Sequence, residues 1–222
     1  MPKKDLLEIY RRLYKRFGPQ HWWPGDTPFE VIIGAILTQN TNWSNVEKAI
    51  NNLKKARLLT PAKLHEISLP ELAELIRPAG YYNVKSKRLK DFIDWLMGDC
   101  DGDLDRLFAL PTASLREALL SVRGIGPETA DSIMLYAAQK PSFVVDAYTY
   151  RIFSRHKYVS EEDTGYDELK AFFEDSLEAD VKLFNEYHAL LVKLGKEFCK
   201  KSKPLCAECP LNGVNDYPPI II

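Results

Sequence analysis

Apolar residues recur at three- and four-residue intervals along almost the whole chain. The spacing predicts helices over 5–17, 28–39, 43–55, 69–76, 84–97, 112–121, 127–138, 147–156, 166–175 and 181–197. Breakers fall between them: Pro24-Gly25 with Asp26 and Pro28, then Pro61, Pro70, Pro78 with Gly80, and Pro111. Thr112 and Ser114 are the capping candidates for the helix after Pro111. Only the run PSFVVD, 141–146, has the look of a strand, and it is short. The predicted class is all-α. Neither a dinucleotide fingerprint nor a Walker loop is present.

Length and composition bound this picture without sharpening it. A chain of 222 residues holds one large domain or two small ones, and 45% hydrophobic with 27% charged residues is ordinary for a globular protein. The net charge of −1 means that any nucleic-acid surface has to be a local patch. The first residues, MPKKDLLEIYRRLYKRF, are charged and amphipathic, and no window approaches the roughly 20 apolar residues of a membrane span. The expectation is a soluble, cytoplasmic protein with no membrane partner.

The richest chemistry lies in LLSVRGIGPETADSIMLYAAQKPSFVVDAYTY, 119–150. Gly124 and Gly126 make a tight turn before a helix that starts near Pro127, and backbone amides at such a turn suit a DNA phosphate; a plain helical hairpin fits the turn alone as well. Asp146 follows in an apolar run, as a buried helix cap, a catalyst, or both. Basic residues gather at Lys85, Lys87, Arg88 and Lys90, and at Lys193, Lys196, Lys200, Lys201 and Lys203; such runs are solvated faces or a track for a DNA backbone. The acidic run 161–180 is expected to face away from nucleic acid. Cys199, Cys206 and Cys209 crowd one loop with C-x6-C-x2-C spacing, which suggests metal rather than disulfides.

GIGPETADSI followed by VVDAYTYRI resembles the helix–hairpin–helix and catalytic-aspartate segment of the endonuclease III superfamily of DNA glycosylases. GAILTQNTNW (34–43), GYYNVKSKRL (80–89) and CKKSKPLCAEC match further segments in order, so the likeness runs from about 22 to 209. It implies two helical domains sharing a cleft, with the hairpin at its mouth: a central bundle over 25–136, and a second domain of 1–24 plus 137–222 that carries the cysteine loop 199–215. It also implies base excision from double-stranded DNA containing damaged bases by a monomer. Asp146 would stabilise an oxocarbenium-like transition state or activate water, while Gln39 and the wedge Tyr81 fill the gap left by a flipped base.

Bifunctional members carry a lysine where this chain has Glu128. A carboxylate cannot form the Schiff base of the strand-cleaving route, so the resemblance implies a monofunctional glycosylase. The segments WWP, LTQNT, RPAGYYN, GIGPETAD and VVDAYTY most resemble the 3-methyladenine DNA glycosylase III subfamily, which would place Trp22, Trp23, Pro24, Trp43 and Glu128 around the base. Electron-rich rings suit a cationic N-alkylpurine. The alternatives are a mismatch-specific thymine/uracil or adenine glycosylase, and a non-catalytic DNA-binding module. The superfamily's [4Fe–4S] cluster uses a fourth cysteine where Asn215 stands here, which leaves a cluster with a non-cysteine fourth ligand, zinc, or no metal.

Overall fold

A computed structural model describes residues 3–160 and 162–214. The described chain is helical, with no strand: α1 (Lys3–Phe17), α2 (Pro28–Thr38), α3 (Trp43–Lys55), α4 (Pro61–Glu66), α5 (Leu69–Leu75), α6 (Tyr82–Cys100), α7 (Leu104–Ala109), α8 (Thr112–Ser121), α9 (Pro127–Ser132), α10 (Ala147–Arg155), α11 (Tyr166–Glu174) and α12 (Val181–Glu197). A π-helical turn, Ile133–Ala137, continues α9. Among the described residues no helix is long and apolar enough to cross a membrane.

Local chemistry sets most boundaries. Thr27 Oγ1 accepts from the Glu30 amide at 3.2 Å with Pro28 at the first helical position, and Asn42 Oδ1 accepts from the Asn45 amide at 3.1 Å. Asp180 caps α12 through the Leu183 amide at 2.6 Å. Two six-residue helices, α4 and α7, escape periodicity because they span fewer than two turns. Pro61, read as a breaker, is in fact the start of α4. The helix α8 begins at Thr112 itself with Pro111 as its cap residue, so neither Thr112 nor Ser114 is the cap.

The chain divides into two compact units, Trp23–Lys140 and Met1–Trp22 with Pro141–Ile222. The first packs α2, buried from Phe29 to Leu37, with α3, α6, α9 and the π turn around Ile32, Ile36, Val46, Leu53, Leu89 and Phe92. The second packs α10 and α1 on α12 over an aromatic core of Phe143, Phe153, Phe173, Phe184 and Tyr187. The 141–146 run is not a strand. Phe143, Val144 and Val145 are buried, and their segment's amides find side chains rather than a neighbouring strand: Phe143 N–H donates to Glu174 Oε1 at 2.7 Å and Val145 N–H to the Tyr166 hydroxyl at 3.4 Å. That run delivers the chain to Asp146.

Candidate active site

Asp146 sits at the N-cap of α10 with 12% of its side chain exposed. Its Oδ1 accepts two bonds from Thr149, from the amide at 2.8 Å and from Oγ1 at 2.9 Å. Its Oδ2 faces Nε2 of His188 on α12 at 3.6 Å, and His188 is 6% exposed. Burial by itself would push this carboxyl up. The His188 ring and the two Thr149 bonds outweigh it and hold the carboxyl below the usual carboxylate range. Capping and a poised carboxylate therefore coexist in one residue. His188 was not legible beforehand: a histidine on the apolar face of a helix looks like any core histidine. Gly195 carried more signal, since a glycine inside a helix is costly, and a Cβ there would stand 2.3 Å from Cδ1 of Tyr148.

In the other unit the hairpin between α8 and α9 turns at Gly124, whose φ is +89°; a Cβ there would meet Arg88 Cγ at 2.5 Å. Gly126 is the cap residue of α9, with Glu128 exposed in its first turn. Gln39 ends α2 and docks on this hairpin: Nε2 donates to Gly124 O at 3.1 Å and to Thr129 Oγ1 at 3.0 Å, while Oε1 accepts from Arg88. Tyr81 is 72% exposed and holds a left-handed φ of +46°, after Gly80 at +68°. A tyrosine in that conformation is uncommon and strained, which the surrounding fold must impose.

The basic stretch needs correction. Lys85 is not a surface cation. It is 1% exposed, and its Nζ donates to Leu37 O at 2.9 Å and Ala79 O at 2.7 Å, tying the end of α2 to the turn that carries Tyr81. Burial pushes this amine down to about 8, with the Arg88 charge adding to the effect. Arg88 is engaged with Gln39, and Lys90 Nζ donates to Leu64 O at 3.2 Å and to His65 O at 2.5 Å. Lys87 is exposed.

Trp23 and Trp43 meet edge to face at 5.2 Å between ring centroids. Tyr136, from the π turn, adds a third ring 5.0 Å from Trp23. A single tyrosine in a buried helical run carries no signal in the sequence, so Tyr136 is legible only from the fold; π turns often mark functional positions. Gly34 makes the approach possible, since a Cβ there would meet Trp43 at 3.2 Å and Trp23 Nε1 at 3.4 Å. Pro24 is exposed in the segment before α2. Trp22 lies in the other unit, where Lys196 Nζ stands 5.7 Å from its ring centroid.

The cysteine loop is described as far as Val214. Among the described residues no three His, Cys, Asp or Glu side chains converge to hold an ion. A [4Fe–4S] cluster or structural zinc takes four donors, and Asn215 lies outside the described residues. Arginines hold this loop. Arg151 Nε donates to Cys199 O at 2.8 Å; Arg155 donates to Lys200 O at 2.7 Å, Lys201 O at 2.9 Å and Cys199 Sγ at 3.4 Å. Burial pushes the Cys209 thiol up to about 11, with Cys199 and Cys206 adding to the effect. Among the described residues the loop offers three thiols and no fourth donor for either group.

The family model of HhH-GPD superfamily base excision DNA repair proteins matches residues 33–179. The chain belongs to this superfamily. It is therefore an enzyme of a DNA glycosylase family that acts in base excision DNA repair. The provisionally named DNA repair glycosylase MJ1434 of Methanocaldococcus jannaschii is 49% identical over 208 residues, covering 93% of each chain. Endonuclease III of Thermotoga maritima is 30% identical, over 92% of this chain and 89% of that one. Among solved structures, Helicobacter pylori 3-methyladenine DNA glycosylase (MagIII) bound to 1,N6-ethenoadenine has a TM-score of 0.73 at 32% identity, covering 89% of this chain and 98% of the other. A non-covalent endonuclease III–DNA complex reaches 0.82 at 22% identity, which shows the shared fold.

Proposed function

We propose that this superfamily member is a monofunctional glycosylase, hydrolytically removing alkylated purines such as 3-methyladenine from duplex DNA and leaving an abasic site. Glu128 is the observation that carries the proposal: the first turn after the hairpin presents a carboxylate, and the adjoining segment 122–132 holds no lysine. Schiff-base chemistry needs an amine that can reach the sugar. Lys85 is no substitute, because its depressed amine is buried and bonded to two carbonyls. Water is then the nucleophile, and Asp146 supplies negative charge to the sugar as the N-glycosidic bond breaks.

The aromatic group of Trp23, Trp43 and Tyr136 supports a cationic base. A positively charged purine gains about 0.5–2 kcal/mol against such rings, and more where water is excluded. Its charge also makes it a good leaving group, so a single ionised carboxylate suffices. The relative at 32% identity is a 3-methyladenine glycosylase with a modified adenine bound, which supports the same substrate class. Tyr81, exposed on its strained turn, and Gln39 take the places of the departed nucleotide; Gln39 must first leave its bonds to the hairpin. Flipping costs a few kcal/mol, least for a damaged pair, which adds selectivity.

The test is a panel of duplexes carrying 3-methyladenine, 7-methylguanine, uracil or a thymine mismatch, scored for strand breaks with and without alkali. The proposal expects breaks at alkylpurines after alkali only. Breaks without alkali, or trapping on DNA by borohydride, would refute the monofunctional reading. Release of uracil or thymine alone would point to a mismatch enzyme, and no release of any base to a binding module.

A further inference from the structure

We infer that His188 is the positioning residue of the Asp146 carboxylate, dividing its two oxygens between an anchor and a reactive atom. The inference rests on the proposed role of Asp146 and adds a residue to it. Both lone-pair directions of Oδ1 are used by Thr149, one by its amide and one by its hydroxyl. That leaves Oδ2 for chemistry, and the group standing in front of it is the His188 ring at 3.6 Å. Both side chains are nearly closed to solvent, so water screens this pair poorly. Helix α12 is anchored on each side of the ring. Tyr187 is fully buried with its hydroxyl on Leu6 O at 2.9 Å, and Gly195 lets α12 pack against Tyr148 of α10, where a Cβ would stand 2.3 Å from Cδ1.

With a proton on Nε2, His188 offers Oδ2 a donor at a distance longer than a good hydrogen bond. Catalytic contacts are often long before substrate arrives and tighten afterwards. The donor keeps the buried carboxylate ionised and fixes the direction of its remaining lone pair. A carboxylate that stabilises positive charge on a sugar needs both; one that protonates on burial supplies neither. His188 touches Asp146 rather than the sugar, so it acts through the aspartate.

A double-mutant cycle on single-turnover release of methylated purines from dimethyl sulfate-treated duplex DNA tests this. H188F is expected to slow release about tenfold to a hundredfold, the equivalent of one charge-assisted hydrogen bond, with DNA affinity unchanged. H188Q, which keeps an N–H donor, should recover much of that loss. In the D146N background H188F should change nothing further, because its target is already gone. If H188F does not melt cooperatively, H188M replaces it in the cycle. Native rates in the H188F protein, a further slowing of D146N, or an H188Q rate as low as that of H188F would each overturn the inference. Failure of the Asp146 role itself shows separately, as release by D146N at the native rate.

Discussion

Lys85→Met separates a structural tie from a DNA contact at a residue whose sequence context suggests the latter. The substitution keeps the length and apolar stem of the side chain but deletes the donor shared by Leu37 O and Ala79 O. Leu37 lies in the last turn of α2, where carbonyls lack helical partners, so its acceptor is stranded. Two stranded acceptors cost about 1 kcal/mol or more each, partly offset because an amine no longer has to be desolvated, for a net loss of about 2 kcal/mol. For a chain of this size that lowers Tm by roughly 4–8 °C. The loss should deepen with pH. Burial holds the folded amine at about 8, below its value in the unfolded chain. Between those values the unfolded state binds the extra proton, so native stability rises with pH and the gap to the variant widens, by about 1–2 kcal/mol near pH 9.5 after allowing for screening. Differential scanning calorimetry at pH 7 and 9.5, with DNA affinity measured across salt, checks both halves. A variant that melts like the native protein yet loses about one unit of log–log salt slope would show that Lys85 contacts phosphate, and the assignment would fail.

Three further outcomes follow from the same geometry. Asp131 is fully buried on α9 and bonded by the fork of Arg116 at 2.9 and 3.2 Å, so R116M should cost about 3 kcal/mol in urea denaturation, and R116M/D131L should recover most of it; equal stability of R116M and the native protein would contradict this. G34A should leave Tm unchanged or raise it, since alanine favours the helix, yet slow alkylpurine release several-fold by pushing Trp43 away from Trp23; unchanged release would remove the aromatic group from the site. Cys209 should resist iodoacetamide at pH 8, because burial holds its thiol up at about 11; alkylation at the rate of a free thiol would show that the loop is organised differently.

Periodicity was enough where a helix buries one stripe over three or more turns, as α3 does through Val46, Ala49, Ile50 and Leu53. It failed at α4 and α7, where six residues do not complete two turns, and at 141–146, where a continuous apolar run reads alike as buried strand or buried coil. Asp146 and the hairpin glycines were legible because turn and cap chemistry are local. Partners across the fold were not. Lys85 and Lys87 look equivalent in sequence, and only packing decides that one caps carbonyls while the other meets solvent. The same holds for His188 and Tyr136, which reach their partners from helices distant along the chain. Three cysteines at suggestive spacing left cluster, zinc or no metal open, and among the described residues no three metal-ligating side chains converge.

The central claim is that the Asp146 carboxylate drives hydrolytic release of a cationic purine. Asp146→Asn is nearly isosteric and keeps an oxygen to accept the Thr149 bonds that cap α10. Release of methylated purines by the D146N protein, measured under single-turnover conditions beside its affinity for the same DNA, is therefore the most direct test. The account predicts release slowed by a hundredfold or more with affinity intact, in line with removal of a principal electrostatic group. Release at the native rate from tightly bound DNA would contradict it.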